Sequence, residues 1–476
     1  MNKSKQMIIC VLIVGALLIT AGATWLFFGG LPEAPSKQDT AERKGVTILD
    51  AEGNEMLTAK AIADIYDSEQ WAYLEIVLAE VTDIIIRQEG CDAPEAKELL
   101  FTRGYQVHTA FDSTAYEALK KVKPIWEEEC NTASAITDLN GGLLAVCSTD
   151  VTGKQINYTR ERRSPYSSFK ALSVYTPAIE KNAVDWSTMY EDSPYKQLQD
   201  SEGQLQDWPA NASGEYSQEN VPVYEALRKS LNTVAVKCLA DIGITQSIEF
   251  LQTSFSIPLQ EEEYVVKTYG EEEVIGNIAL GYLETGITPV EMAGYYQIFA
   301  NGGIYTEPSS VKKICLEDGT ELYRQKQESR QVVSEATADL MNKLLQGVVA
   351  AGGTGEAAKS VGVEVAGKTG TGDNYADNWF VGVTPGYSIA VWHGQHDSNQ
   401  ADEMFSYVVD ELYRLQPNAN RKFITHKNLV QLAYCGHSGM VISDDCALMD
   451  VGYFKSKDTL PVCNLCSNQK KGDVAK

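Results

Sequence analysis

Three short motifs in this sequence combine the residue types of a serine acyl-transfer site. Ser167 and Lys170 stand directly before an apolar segment that predicts a helix. If that helix begins near Ser167, both side chains lie on one face, and the amine can accept the hydroxyl proton. Free N–H groups at the helix start would also stabilise an oxyanion. The first motif therefore predicts Ser167 as the nucleophile and Lys170 as its base.

A lysine accepts a proton only while its amine is neutral. The ordinary pKa of a lysine is about 10.4, and lowering it to about 7–8 destabilises the cation by roughly 3–5 kcal/mol. Burial and a second nearby cation both act in this direction. We expect Lys368 to be that second cation for Lys170.

The second motif is Ser230-Leu231-Asn232, at a predicted junction between two helices. We expect Ser230 to relay a proton between Lys170 and the leaving amine, and Asn232 to hold an amide of the substrate backbone. Serine and asparagine are also common helix caps, so a capping role is the alternative interpretation.

The third motif, Lys368-Thr369-Gly370-Thr371, predicts an edge strand along the site. Gly370 is expected to leave room for a substrate backbone. The Thr369 and Thr371 hydroxyls, together with the Lys368 charge, suit a terminal carboxylate. The Thr371 N–H would complete an oxyanion hole with that of Ser167. This chemistry requires no metal ion and no cofactor, and none is expected.

The elements around these motifs predict an α+β fold, with an antiparallel sheet packed with helices. Helices are predicted between residues 60 and 100 and from Phe169 onwards, and residues 185–222 are predicted to be long connections. The predicted strands are Tyr105–Phe111, a hairpin around Asn140-Gly141, Val361–Thr371, Trp379–Val383 and Tyr387–Trp392.

Composition limits the class of protein. The chain has 476 residues, of which 44% are hydrophobic and 22% charged, as in a globular protein of several domains. Its 40 basic and 65 acidic residues give a net charge of -25. Because nucleic-acid binding needs a basic surface, a nucleic-acid partner is not expected.

An uncharged apolar run from Ile8 to Phe28 predicts one membrane-spanning helix. At about 1.5 Å per residue it is about 31 Å long, close to the hydrocarbon thickness of a bilayer. Lys3 and Lys5 precede it, so residues 1–7 are expected in the cytoplasm and the rest outside. A cleaved signal peptide is the alternative, but the run stays apolar beyond the cleavage-like Ala21–Ala23.

Four of the ten cysteines cluster late in the chain, at Cys435, Cys446, Cys463 and Cys466. In an exported chain they favour two disulfides, with three possible pairings. A structural zinc site that uses the C-x-x-C pair at the end is one alternative, and free thiols are another.

In these motifs and their surroundings the chain resembles the penicillin-binding proteins, the D,D-transpeptidases of bacterial cell walls, and most closely the transpeptidase half of the class A group. The segments that carry the resemblance are Gly104–Thr109 with Asp112, Leu143–Val146, Ser167–Lys170, Ala279–Gly281, Thr288-Pro289, Phe299–Gly303, Gly353–Ala358, Ala366–Thr371 and Asn378–Pro385.

The resemblance implies a transpeptidase domain over residues 104–417, with the fold of serine β-lactamases. A stalk with a short helical region (29–103) would precede it, and a cysteine-containing tail (418–476) would follow. Class A proteins carry a glycosyltransferase domain before this half, and residues 29–103 are too few for one. A separate glycan polymerase is therefore expected to work beside the protein.

The resemblance also implies the reaction. Ser167 would attack the penultimate D-Ala carbonyl of a stem peptide ending in D-Ala-D-Ala, and an amine of a second stem would resolve the acyl-enzyme into a cross-link. β-Lactams would acylate the same serine. Attack by water would instead make the protein a D,D-carboxypeptidase. A β-lactamase, a β-lactam sensor and a non-catalytic cell-wall scaffold are the other hypotheses.

Overall fold

The computed structural model describes residues 43–126, 130–199, 202–260, 271–394, 396–424 and 427–466. The membrane span predicted at Ile8–Phe28 lies outside these ranges. Within them, no helix has the length and apolar character needed to cross a bilayer.

The strands of the described residues are β1 Val46–Leu49, β2 Glu55–Ala59, β3 Tyr105–Thr109, β4 Thr132–Asp138, β5 Leu143–Thr149, β6 Met189–Glu191, β7 Lys196–Gln199, β8 Leu205–Trp208, β9 Asn220–Pro222, β10 Ile304–Thr306, β11 Val311–Leu316, β12 Glu321–Arg324, β13 Ser329–Gln331, β14 Ala366–Thr371, β15 Asn378–Val383, β16 Tyr387–His393, β17 Leu429–Cys435 and β18 Met449–Lys455.

The α-helices are α1 Ile62–Tyr66, α2 Trp71–Glu89, α3 Ala93–Thr102, α4 Ser113–Trp126, α5 Thr176–Glu180, α6 Val223–Arg228, α7 Asn232–Ile242, α8 Ile244–Phe255, α9 Glu271–Leu280, α10 Pro289–Tyr296, α11 Glu335–Val349 and α12 Ala401–Leu415. Short 3₁₀ turns cover Tyr166–Phe169, Gln297–Phe299, Glu356–Ala358 and Asp373–Tyr375, and Ala171–Tyr175 is a π-helix.

The chain folds into two compact units, and the first contains the described residues up to Phe111 together with Ser309–Lys326. Its sheet has the order β12-β11-β3-β1-β2, in which β1 and β3 are parallel. In α2, apolar residues spaced three or four apart, including Tyr73, Val77 and Val81, are fully buried.

This division corrects the predicted boundary at residue 104. β3 pairs with β1 on one side and with β11 on the other, so Tyr105–Thr109 and the distant segment Ser309–Lys326 both belong to the first unit. The region predicted as a stalk with a short helical part therefore contributes two strands, β1 and β2, to a sheet. Sequence patterns indicated the helices and β3 but neither the other strands nor the partners of β3, because pairing with β11 depends on residues about two hundred positions away.

The second unit contains Asp112–Pro308 and the chain from Gln327 onwards. Its central sheet is antiparallel, with the order β14-β15-β16-β4-β5. The predicted α+β class is therefore confirmed, as are the predicted strands at β14, β15 and β16 and the hairpin at Asn140-Gly141.

Helices cover both faces of this sheet. Ser388 in β16 donates a hydrogen bond to the Ala293 carbonyl of α10, at 2.6 Å. Phe380 in β15 packs on Phe405 of α12, with ring centroids 4.7 Å apart. All six residues of β15 are consequently buried, which explains why this strand is apolar after Asn378.

The segment 185–222 is not a set of plain connections, as its polar composition had predicted. It forms two small antiparallel sheets, in which β6 pairs with β9 and β7 pairs with β8. These strands are short and mostly exposed, so their side chains carry little of the alternating apolar pattern that marks a strand.

Candidate active site

Ser167 lies on a strained turn that the surrounding chain holds in place. Tyr166 has a left-handed φ of 47°, and its N–H donates to the Gly281 carbonyl at 3.0 Å. A Cβ added to Gly281 would lie 2.2 Å from the Tyr166 carbonyl oxygen, so only glycine permits this approach. Strain of this kind in a non-glycine residue is typical of functional sites.

The helix predicted to begin near Ser167 is irregular. A 3₁₀ turn covers Tyr166–Phe169, a π-helix follows over Ala171–Tyr175, and α5 continues the segment. The Lys170 N–H donates to the Ser167 carbonyl across the first turn, which places the two side chains on the same side of the segment. π-Helical turns are rare and recur at functional sites.

Lys170 is fully buried, and its amine contacts the second motif. Nζ donates to the Ser230 carbonyl at 2.8 Å and to Asn232 Oδ1 at 2.5 Å, and it lies 3.4 Å from Ser230 Oγ. Within the described residues, no hydrogen bond joins this amine to the Ser167 hydroxyl, although the sequence predicted that the two would meet. Catalytic hydrogen bonds are often long in the absence of substrate.

Two lysines share this buried environment. Burial, together with the positive charge of Lys368, holds the pKa of the Lys170 amine well below its ordinary value of 10.5. Burial also lowers the pKa of Lys368 to about 7. A neutral Lys170 amine that donates two N–H bonds to carbonyl oxygens retains one lone pair, which is the feature that a base requires.

Ser230 lies in the tight connection between α6 and α7, and Asn232 is the first residue of α7. Ser230 has a left-handed φ of 58°, a second strained residue beside the lysine. The Asn232 amide bridges two segments, because its Oδ1 accepts from Lys170 while its Nδ2 donates to the Ala210 carbonyl at 2.7 Å. Asn232 therefore positions Lys170 in this structure.

Two residues behind Asn232 were missed by the sequence analysis. Asn211 Oδ1 accepts the Asn232 N–H at 2.9 Å, and Asn211 Nδ2 donates to Asp192 at 2.8 Å. Asp192 also accepts from the Thr233 hydroxyl at 2.7 Å and from the Ser217 N–H at 2.9 Å. Both lie in the segment predicted as connections, where no local pattern indicates that a polar residue is buried.

Replacing Asp192 by Ala is expected to lower the free energy of unfolding by about 1–3 kcal/mol at neutral pH, because buried donors lose their acceptor. Burial raises the pKa of this carboxyl, but hydrogen bonds from Ser217, Thr233 and Asn211 outweigh burial and hold the pKa below 3.8. The ionised group thus stabilises the fold above pH 3.8, and this contribution disappears as the pH falls through the lowered pKa.

Urea unfolding of both proteins at neutral pH and below pH 3.8 measures this difference. Asp207→Ala is the matched control, since Asp207 is exposed and its carboxylate accepts from the amide of the exposed Gln197 in the same segment. If the difference in the free energy of unfolding between Asp192→Ala and the wild type stayed constant on acidification, the assigned role of the charge would be contradicted.

Strand β14 carries the third motif at the edge of the central sheet, as predicted. Lys368 Nζ lies 3.2 Å from Thr369 Oγ1, which donates to Thr354 Oγ1 at 3.1 Å. Thr371 is exposed, and its Oγ1 accepts from Asn399 Nδ2 at 2.8 Å. Asn399 also donates to the Gly370 carbonyl at 3.0 Å, and the sequence analysis did not identify it.

Gly370 has a packing role that the sequence analysis did not predict. A Cβ at this position would lie 2.4 Å from the Pro165 carbonyl oxygen and 3.1 Å from the Ser168 nitrogen. The glycine thus allows β14 to pack directly against the turn that carries Ser167, and room for a substrate backbone stays a prediction.

The Gly370→Ala variant is expected to react with benzylpenicillin about 100-fold more slowly, because a displacement of about 1 Å between catalytic groups has an effect of this size. Gly386→Ala is the matched control, since the nearest heavy atom to an added Cβ there is 3.7 Å away. Acylation rates of the two variants, followed by intact-protein mass, test the packing role. Equal rates would contradict it.

In the second unit, all eight predicted site residues therefore lie in one region. Each either contacts another part of the site or adjoins it along the backbone. A half-buried hydroxyl, a buried amine of lowered pKa and a second lysine lie beside an edge strand. Such a set can deprotonate a serine and stabilise an anion without a metal ion.

Comparison with known proteins assigns this arrangement to a family. The model of the penicillin-binding protein transpeptidase domain matches residues 132–407, which include all three motifs. Penicillin-binding protein 1A of Clostridium botulinum is 34% identical over 255 residues, 52% of this chain and 29% of that protein. Penicillin-binding protein 1F of Bacillus subtilis is 31% identical over 333 residues, 67% of this chain and 43% of that protein.

Solved structures show the same fold. Penicillin-binding protein 1A from Haemophilus influenzae aligns with a TM-score of 0.63 at 18% identity, over 81% of this chain and 76% of that one. The PonA1 protein from Mycobacterium tuberculosis in complex with penicillin V aligns with a TM-score of 0.58 at 22% identity, over 74% of this chain and 95% of that one. Because the family model matches more than half of its residues, this chain belongs to the penicillin-binding protein transpeptidase family.

Proposed function

We propose that this protein is a membrane-anchored D,D-transpeptidase that cross-links peptidoglycan stem peptides through an acyl-enzyme on Ser167. The observation that carries the proposal is the buried Lys170 amine. It lies one turn from Ser167, is held by Ser230 and Asn232, and has a pKa lowered by burial and by Lys368.

In the first half-reaction, Ser167 Oγ bonds to the penultimate D-Ala carbonyl carbon while its proton passes to Lys170 Nζ. The resulting oxyanion accepts hydrogen bonds from the Ser167 and Thr371 N–H groups. When the peptide bond breaks, Ser230 passes a proton to the departing D-Ala nitrogen and is reprotonated by Lys170. The site is then neutral again, with the donor stem held as an ester.

In the second half-reaction, an amine of another stem attacks the ester carbonyl. Its proton passes to Lys170, an amide bond forms, and Ser167 regains its hydrogen as it leaves. Lys368, Thr369 and Thr371 bind the terminal carboxylate of the donor, and Gly370 keeps this strand against the serine turn. Asn232 positions Lys170 and contacts the substrate amide.

The run Ile8–Phe28 supports a single membrane anchor, with residues 1–7 in the cytoplasm and the catalytic unit on the outer face of a bacterial cell membrane. β-Lactams, which carry a strained amide and a carboxylate, are proposed as acylating ligands of Ser167. A separate glycan polymerase is the proposed partner that supplies the strands.

The test is an assay of the purified chain with a stem peptide ending in D-Ala-D-Ala and an acceptor amine. We expect equimolar D-Ala and cross-linked product, measured by mass spectrometry. D-Ala release with only the shortened stem would identify a D,D-carboxypeptidase. No D-Ala from a protein that still forms a benzylpenicillin adduct would overturn the enzymatic proposal in favour of a β-lactam-binding sensor or scaffold.

A further inference from the structure

The end of the described chain forms a small module that the catalytic site does not use. We define the C-terminal module as residues 427–466, built on the antiparallel pair β17 and β18. Its four cysteines, Cys435, Cys446, Cys463 and Cys466, lie far apart in sequence, yet all four Sγ atoms are within 4.8 Å of one another. Their side chains are 0%, 9%, 2% and 6% exposed, so the sulfurs converge in the interior.

The sulfurs are not joined as the sequence analysis favoured. Cys435 Sγ lies 3.7 Å from Cys466 Sγ, and Cys463 Sγ lies 3.9 Å from Cys466 Sγ. A disulfide requires about 2.05 Å. All four are free thiols in this structure, so the prediction of two disulfides is wrong here. The sequence left the pairing open because spacing alone does not show that four sulfurs meet at one point.

The separations fit a tetrahedral metal ion. With Zn–S bonds of about 2.3 Å, the edge of a regular tetrahedron of sulfurs is about 3.8 Å. The two measured separations, 3.7 Å and 3.9 Å, lie on either side of that value. Each sulfur of the cluster could therefore bind one central ion without a large movement.

Backbone bonds hold the loops that carry these sulfurs. The Cys435 N–H donates to the Met440 carbonyl and the Cys463 N–H to the Val441 carbonyl, both at 2.8 Å. The Ser443 N–H donates to Cys446 Sγ at 3.4 Å, which fixes the position of this sulfur. The ligand geometry is thus supported by the fold of the module.

The four sulfurs have few apolar neighbours. Around the four sulfurs only Met440 and Ile442 add partly buried apolar side chains within the described residues. Segments of this size rarely bury enough apolar surface to fold, and a bound metal ion commonly supplies the missing free energy.

We infer that Cys435, Cys446, Cys463 and Cys466 bind one structural Zn²⁺ as four thiolates. Four protein ligands leave no open position, which is the arrangement of a structural rather than a catalytic zinc site. Binding releases the thiol protons to solvent and involves no redox change. The inference does not rest on the proposed function.

The C-terminal module packs against residues that support the second motif, so zinc binding affects the stability of that region. Ser187 Oγ donates to the Gly439 carbonyl at 2.6 Å, and Gly452 lies against the Trp186 ring. Trp186 stacks on Tyr224 of α6, with centroids 4.3 Å apart, and α6 ends just before Ser230. Zinc thus stabilises the surface on which α6 rests.

The test measures the metal content of the full chain, purified under reducing conditions without chelator, by plasma mass spectrometry. We expect one zinc per chain in the wild type and in Cys91→Ser, a control thiol outside the cluster, and loss of most of the zinc in Cys463→Ser. Cobalt substituted for zinc should give the visible absorption bands of a tetrahedral thiolate site.

Should Cys463→Ser fail to fold, thiol alkylation of the wild type decides the question. A chelator is expected to expose four additional thiols to the reagent. Stoichiometric iron, full zinc retention in Cys463→Ser, or metal-free protein with four thiols already reactive would each overturn the inference. So would metal-free protein that lacks four thiols until it is reduced, which is the result expected for two disulfides.

Discussion

The Ser167→Ala variant is expected to form no covalent adduct with benzylpenicillin, whereas the wild type gains the mass of one drug molecule. The side-chain oxygen is the atom that would bond to the lactam carbonyl. Since Ser167 is half-buried and donates no side-chain hydrogen bond within the described residues, its truncation leaves the fold intact. Intact-protein mass measures the result.

Ser193→Ala is the matched control for this experiment. Ser193 and Lys196 repeat the spacing of Ser167 and Lys170, but Lys196 extends over the Tyr195 ring rather than into a buried site. We expect Ser193→Ala to acylate like the wild type. An adduct that survived in Ser167→Ala, or disappeared in Ser193→Ala, would mean that the nucleophile has been assigned to the wrong serine.

The Lys170→Met variant is expected to acylate about 10²–10⁴-fold more slowly than the wild type, which is the usual contribution of a general base. Methionine fills a similar volume without a proton acceptor or a buried cation, so the second unit should keep its stability. Rates of adduct formation at several drug concentrations give the comparison. Lys181→Met, at an exposed lysine that bonds Gln246, should leave the rate unchanged.

The pH dependence of acylation distinguishes a base from a structural lysine. Burial and the Lys368 charge hold the pKa of Lys170 well below 10.5. Protonation removes the lone pair, so the wild-type rate should fall as the pH decreases through that lowered pKa, and Lys170→Met should lack this fall. Lys368→Met removes the nearby positive charge, which is one of the two causes of the lowered pKa of Lys170. The pKa of Lys170 should therefore rise, and the fall in acylation rate should move to higher pH. An unchanged profile in both variants would contradict the role of Lys170.

Much of the local structure follows from the sequence because it depends on neighbouring residues. The apolar runs at β15 and β16 predict strands, and Asn140-Gly141 predicts a hairpin through the turn conformation that glycine and asparagine adopt. The motif Lys368–Thr371 predicts an edge strand at β14. These predictions needed only propensities and spacing.

The arrangement of the candidate active site depends on contacts that no local sequence pattern predicts. Lys170 bonds Ser230 and Asn232 some sixty positions away, and Asp192 and Asn211 support that contact from a segment with no apolar periodicity. The lowered pKa of Lys170 is a property of complete burial, which arises only when the whole unit has folded.

The sequence by itself determined which groups are available: a serine, two lysines, an asparagine, an edge strand with hydroxyls, and four late cysteines. The tertiary structure decided that Gly370 packs on the Ser167 turn, that β3 belongs to the first unit, and that the four sulfurs meet at one point. The physical reason is that propensity acts between neighbours along the chain, whereas burial, pairing and proximity result from the packing of residues that are distant in sequence.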